Sequence, residues 1–164
     1  MAPILVLALG LGTAVVTDVR TRRIPNWLTG SMAAAGFGIA VGGGQVTPMQ
    51  AALGMLIGLL LMLPGHVIGA TGAGDVKLMA AVGAVVGTSS ILRVFLYTAV
   101  AGGVLAVLIA VRRRRLRQTV IETTRLVTAP AGARVAIEAS DRANRFAYGP
   151  AIAVGTLISL VVKP

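Results

Sequence analysis

The chain has 164 residues, 56% of them hydrophobic and only 12% charged, with a mean hydropathy of +0.89. A soluble domain carries roughly 25% charged residues, so this composition excludes an ordinary water-soluble globule and leaves a polytopic helical membrane protein. The formal net charge of +10 does not argue for nucleic acid, because the arginines cluster in loops beside apolar runs, and the lack of cysteine excludes disulfides and thiolate metal ligands or nucleophiles.

The apolar runs predict an all-α bundle of about six spans, forming one integral-membrane domain over residues 1–164. The first covers 2–17. Basic residues follow it rather than precede it, which argues against a cleaved signal peptide and for a helix with its N-terminus outside. The loop "DVRTRRIPN" (18–26) carries Arg20, Arg22 and Arg23, and the second span covers 27–44. Pro25 ends the loop, Asn26 is suited to cap the second helix, and Trp27 to anchor it at the interface. A third span covers 49–69 and a fourth 76–88, with "TGAGDVK" (71–77) leading into the fourth. "GTSS" (87–90) then separates it from a fifth span over 91–111, and the last covers 147–162.

Between the last two spans lies the one sizeable extramembrane segment, 112–146, opened by Arg112 to Arg115 and Arg117. Leu116, Val120 and Val127 fall near one helical face there, as in an interfacial helix that would attract anionic lipid or the substrate, although a topology-setting loop is the favoured reading. Alternation puts both basic loops on one side and leaves the other loops almost uncharged. The expected orientation is therefore a cytoplasmic face carrying 18–26, 71–77 and 112–146, with both termini outside. Glycines four apart in "GIAVG" (38–42), "GMLIG" (54–58) and "GAVVG" (83–87) predict close helix packing within the bundle rather than a dimer interface.

Five acids are present, and Glu122, Glu138 and Asp141 belong to the polar loop. Asp18 leaves the first span and Asp75 enters the fourth, so the topology sets both at one membrane depth on the same side. Acids beside spans are costly and commonly functional. Two carboxyls sharing a site do not both ionise easily, so one keeps a proton and the other is free to take one from water. The plainer alternatives are an Asp18–Arg22 pair and an Asp75 helix cap. Lys77 is either an interfacial side chain or a charge that tunes Asp75 or meets substrate. His66, the single histidine, ends the third span, and Ser89 and Ser90 have no nearby base.

"DVRTRRIPN" (18–26) and "GAGDVKL" (72–78) together resemble the two signature motifs of the type IV prepilin peptidase family, membrane aspartic proteases of the GxGD group. Their order, separation and six-span plan agree as well. "FAYGPAIAVG" (146–155) is similar to the family's last-helix segment, with Ala147 where a proline is common. The resemblance implies a catalytic pair, Asp18 and Asp75, with Gly72 and Gly74 as motif glycines that give backbone access to the scissile segment. Arg20 and Asn26 belong to the first signature. It further implies cleavage of a basic leader from a prepilin-like substrate with an apolar helix, at the cytoplasmic face of the inner membrane. No cofactor and no metal is expected. Bifunctional members carry two cysteine pairs in a cytoplasmic region that accompanies N-methylation. Here those are missing, so the chain looks like the short peptidase-only form of Tad/Flp-type or archaeal-type systems. Another GxGD intramembrane protease, or a transporter or assembly factor using Asp75 and Lys77 as a relay, are the alternatives.

Overall fold

A computed structural model of the chain describes residues 1–112 and 148–162. Six helices and no strand occur among the described residues: α1 (Ala2–Thr21), α2 (Asn26–Val41), α3 (Pro48–Val67), α4 (Ala73–Val86), α5 (Thr88–Arg112) and α6 (Gly149–Val161). The expected spans are recovered to within a few residues. Most of the interfacial-helix expectation for 112–146 falls outside the described residues.

The bundle is apolar on its outer surface as well as in its core. On α3 the small residues Ala51, Gly54 and Gly58 face inward, while Leu53, Leu56, Leu60 and Leu63 face outward. On α5, Leu92, Leu96, Val100, Val104 and Val107 likewise form an exposed apolar stripe. So much contiguous apolar surface is unfavourable in water and natural in lipid. Three segments, Ala2–Thr21, Pro48–Val67 and Thr88–Ile109, are long and apolar enough to cross a bilayer. The chain is thus an all-α polytopic membrane protein.

α4 has only 14 residues, about 21 Å at 1.5 Å per residue, well short of a hydrocarbon core of about 30 Å. It is enclosed instead. α4 packs against each of the other five helices, and its residues from Leu78 to Val85 are all buried. A helix apolar on every side belongs at the centre of a bundle.

Glycines set how closely its neighbours approach. A methyl on Gly83 would overlap the Gly54 carbonyl, and one on Gly58 would lie 2.6 Å from the Met79 carbonyl oxygen, so α3 and α4 cross backbone to backbone. The second and third glycine pairs therefore pack within the chain, as expected. "GIAVG" does not. Gly38 has nothing within 4 Å, and it is Gly36 that meets the backbone of Ala84, at 2.9 Å.

The links between helices are short. Arg22 closes α1 with a left-handed backbone, φ 52, and Pro25 precedes α2 in extended conformation. Thr47 and Gln50 cap α3 reciprocally, at 3.2 and 3.0 Å. "GTSS" is not a linker. Gly87 alone, at φ 71, turns the chain from α4 into α5, whose first turn contains Ser89 and Ser90. The alternating helices bring the end of α1 and the starts of α2, α4 and α6 to one end of the bundle.

Candidate active site

Two carboxylic acids are buried at that end. Asp18, in the last turn of α1, is 6% exposed, and Asp75, in the first turn of α4, is 7% exposed. α1 and α4 are in direct contact, and the two carboxyls lie within electrostatic reach of each other. Each is held by a backbone amide. The Gly149 N–H, at the start of α6, donates to Asp18 Oδ2 at 2.8 Å, and the Gly72 N–H donates to Asp75 Oδ2 at 2.9 Å.

Both bonds follow from helix geometry. The first amides of a helix have no partner within it and carry partial positive charge, so they suit a carboxylate. Asp75 is the third residue of α4 and reaches back to the residue preceding that helix, the reciprocal arm of a capping box. Asp18 meets the amide end of a different helix, 131 residues away. In both cases Oδ2 is the oxygen bonded, and Oδ1 has no hydrogen bond among the described residues.

The glycines of the second motif act by size rather than by unusual dihedrals. Gly72 has an extended backbone, φ −78 and ψ 154. A methyl there would stand 3.1 Å from Asp75 Oδ2, and one on Gly74 would stand 3.1 Å from Cβ of Ile24. Ile24 is buried, so the isoleucine of the first motif packs on the second glycine of the second. The two motifs touch at this point.

Lys77 and Asn26 turn away from the acids. Two residues along a helix is about 200° around it, so Lys77 leaves α4 on nearly the opposite side from Asp75. Its Nζ donates to Asn26 Oδ1 at 2.9 Å. That corrects the expectation that Asn26 caps α2: Pro25 occupies the cap position, and the Asn26 side chain accepts from Lys77 instead. Both residues line an open groove of about 440 Å³ between α2, α3 and α4, with Thr29, Ala33, Met55 and Leu59.

Arg20 is exposed and makes no hydrogen bond or ion pair among the described residues. The Arg22 guanidinium lies within electrostatic reach of Asp18, but the hydrogen bond to the Asp18 carboxyl comes from Gly149. His66 is exposed and its Nδ1 contacts the Thr71 carbonyl at 3.2 Å, bracing the turn before α4. Ser90 Oγ accepts from Arg93 at 3.2 Å. No group of three His, Cys, Asp or Glu gathers among the described residues.

A model of the type IV leader peptidase family matches residues 5–107, more than half of the chain and inclusive of both acid motifs. The chain belongs to the type IV leader peptidase family. It is therefore a peptidase acting on a protein substrate. No curated protein and no solved structure matches it.

α6 lies beyond the matched residues, and it supplies what motif reading missed. Besides the Gly149 amide, Tyr148 lies within electrostatic reach of Asp75, its ring packed on Gly102 of α5. A backbone N–H leaves no mark in a sequence. The available signal was the "YGP" start of the last span, where a proline in the first turn marks a helix opening.

Proposed function

We propose that this peptidase is an aspartic endopeptidase whose reacting groups are Asp18 and Asp75, and that it removes the leader of type IV prepilin-like proteins. The observation that carries this reading is the juxtaposition of two buried carboxyls, each anchored through Oδ2 at a helix start. One carboxylate takes a proton from water as the water oxygen adds to the scissile carbonyl carbon. The other, protonated, donates a hydrogen bond to the carbonyl oxygen. Collapse of the tetrahedral intermediate then breaks the C–N bond, with a proton delivered to the leaving nitrogen. The reaction consumes one water and needs no covalent enzyme intermediate.

A Tad/Flp-type or archaeal-type substrate, with a basic leader ahead of an apolar helix, fits a site at a membrane edge. The positive-inside distribution of arginine supports a site at the cytoplasmic face of the inner membrane, with the termini outside and lipid around the bundle. The relay reading of Asp75 with Lys77 is not favoured, since Lys77 is engaged by Asn26 on another side of α4.

Membranes containing the wild-type chain, mixed with a prepilin from the same genome, should release a shortened product detected by mass. Asp18→Asn and Asp75→Asn should each abolish cleavage while the protein still accumulates in the membrane. Normal cleavage by either variant at equal abundance removes that residue from the pair.

A further inference from the structure

The bond between α6 and Asp18 is unusual in three respects. It joins the two ends of the chain, it is buried, and it involves a residue with no side chain. Gly149 is the first residue of α6, and Pro150 follows it. Pro150 has no N–H, so the Gly149 amide is one of the few donors this helix start can offer. Left unbonded while buried, it would be costly, and Asp18 satisfies it.

The space beside Gly149 belongs to the carboxyl. A methyl on this glycine would lie 2.7 Å from Asp18 Oδ2, 3.1 Å from its Cβ and 3.3 Å from its Cγ. Its backbone carries no positive φ, so close approach is what calls for glycine here. α6 packs on α1 as well, but its largest seam is with α5. Gly155 is tight against Thr98, and Tyr148 is packed on Gly102, so α5 fixes the height at which Gly149 stands. The amide is thus a rigid reference point, set by the α5–α6 seam, against which a side chain of α1 is aligned.

Resting on the reading of Asp18 as one of the reacting pair, we infer that the Gly149 amide is a positioning group. It clamps Oδ2 of Asp18 and so turns Oδ1 toward the water and the substrate. The bond ties the site to the last helix, outside the segment that carries both acid motifs. Restoring an ordinary contact of 3.4 Å around an added methyl displaces the carboxyl by roughly 0.7 Å. Misplacement on the order of 1 Å lowers a rate by roughly 10²-fold.

Two measurements test this. Gly149→Ala should lower kcat for prepilin cleavage on the order of 10²-fold with KM unchanged. Gly103→Ala, at an open position on α5, should leave both as they are. The second measurement needs no variant at Gly149. Of the two tyrosines, Tyr97 precedes Thr98 and Tyr148 precedes Gly149. Protein labelled with carbonyl-¹³C tyrosine and ¹⁵N glycine therefore gives one ¹³C–¹⁵N correlated amide signal, that of Gly149. In detergent micelles it should exchange slowly with solvent, and Asp18→Ala should shift it and speed its exchange. A signal indifferent to Asp18→Ala, or Gly149→Ala with wild-type kcat, overturns the inference while leaving the acid pair standing. Cleavage by Asp18→Asn would instead overturn the pair.

Discussion

Gly83→Ala tests whether backbone contact between α3 and α4 holds the site in register. The added methyl would overlap the Gly54 carbonyl oxygen and stand 2.6 Å from its carbon and 3.1 Å from the Met55 nitrogen. All of these are backbone atoms, with no side chain able to swing aside. Reaching an ordinary 3.4 Å from that carbon opens the seam by roughly 0.8 Å, and clearing the nearer carbonyl oxygen opens it further. A gap of about 0.5–1 Å forfeits roughly a quarter to a half of each dispersion contact along it, including the approach of Gly58 to Met79. Overpacking of this kind costs about 1–3 kcal/mol, against a gain of up to about 1 kcal/mol in helix propensity from removing glycine. The net is destabilising. Because Asp75 lies two turns before Gly83 on the same helix, cleavage should fall as well, on the order of 10²-fold for a shift near 1 Å. The assay is thermal loss of monodisperse protein in detergent, followed by prepilin cleavage per folded molecule. Gly38→Ala is the matched control, since it has the same four-residue spacing but nothing within 4 Å. If the two variants lose stability equally, or Gly83→Ala is neutral in both assays, the seam does not set the position of α4.

Thr47→Ala should cost about 1 kcal/mol in the same thermal assay, by removing one arm of the α3 capping box, and should not alter kcat. The exposed Lys77–Asn26 bond should show a coupling of about 1 kcal/mol or less in a double-alanine cycle, with cleavage largely retained; a much larger loss of kcat/KM in either single variant would make the pair a substrate contact. Asp75→Glu should keep or raise thermal stability, because glutamate is favoured at the third position of a capping box, yet abolish cleavage by moving the carboxyl outward. Full activity in Asp75→Glu would contradict a geometrically fixed pair.

Length and composition made the six described helices legible, because helices that face lipid, and α4 enclosed among them, all carry an apolar run. The starts of α4 and α5 were harder to read. α4 begins at Ala73 rather than at Val76 because "AGD" builds its first turn, where polar residues and glycine look like loop. α5 begins at Thr88 because Gly87 makes the turn alone, leaving both serines helical. Spacing found the seam glycines in α3 and α4 but misjudged α2, since a four-residue interval does not say which face meets a neighbour. Both acids were visible as charges out of place. Their partners were not, because Gly149 and Gly72 act through main-chain amides; nor was the meeting of the two motifs, where Ile24 packs on Gly74, a residue lacking a side chain.

The capping and catalytic readings of Asp75 compete only while the carboxyl is treated as a single point. It has two oxygens, and the Gly72 amide engages Oδ2. Asp18 repeats the arrangement with Gly149, using the start of a different helix. Anchoring one oxygen at a helix terminus removes torsional freedom from a short side chain and leaves the other oxygen for chemistry. Such anchoring matters more here than in a soluble enzyme, because lipid offers few other polar groups to hold a carboxyl still. A helix start is among the few sources of unsatisfied N–H groups within a membrane bundle. The need to satisfy those groups and the need to orient an acid are then met by one contact. On this argument the acids stand against the starts of two short helices, α4 and α6, because that is where the backbone has donors to spare, and α4 can be short because the other five described helices shield it from lipid.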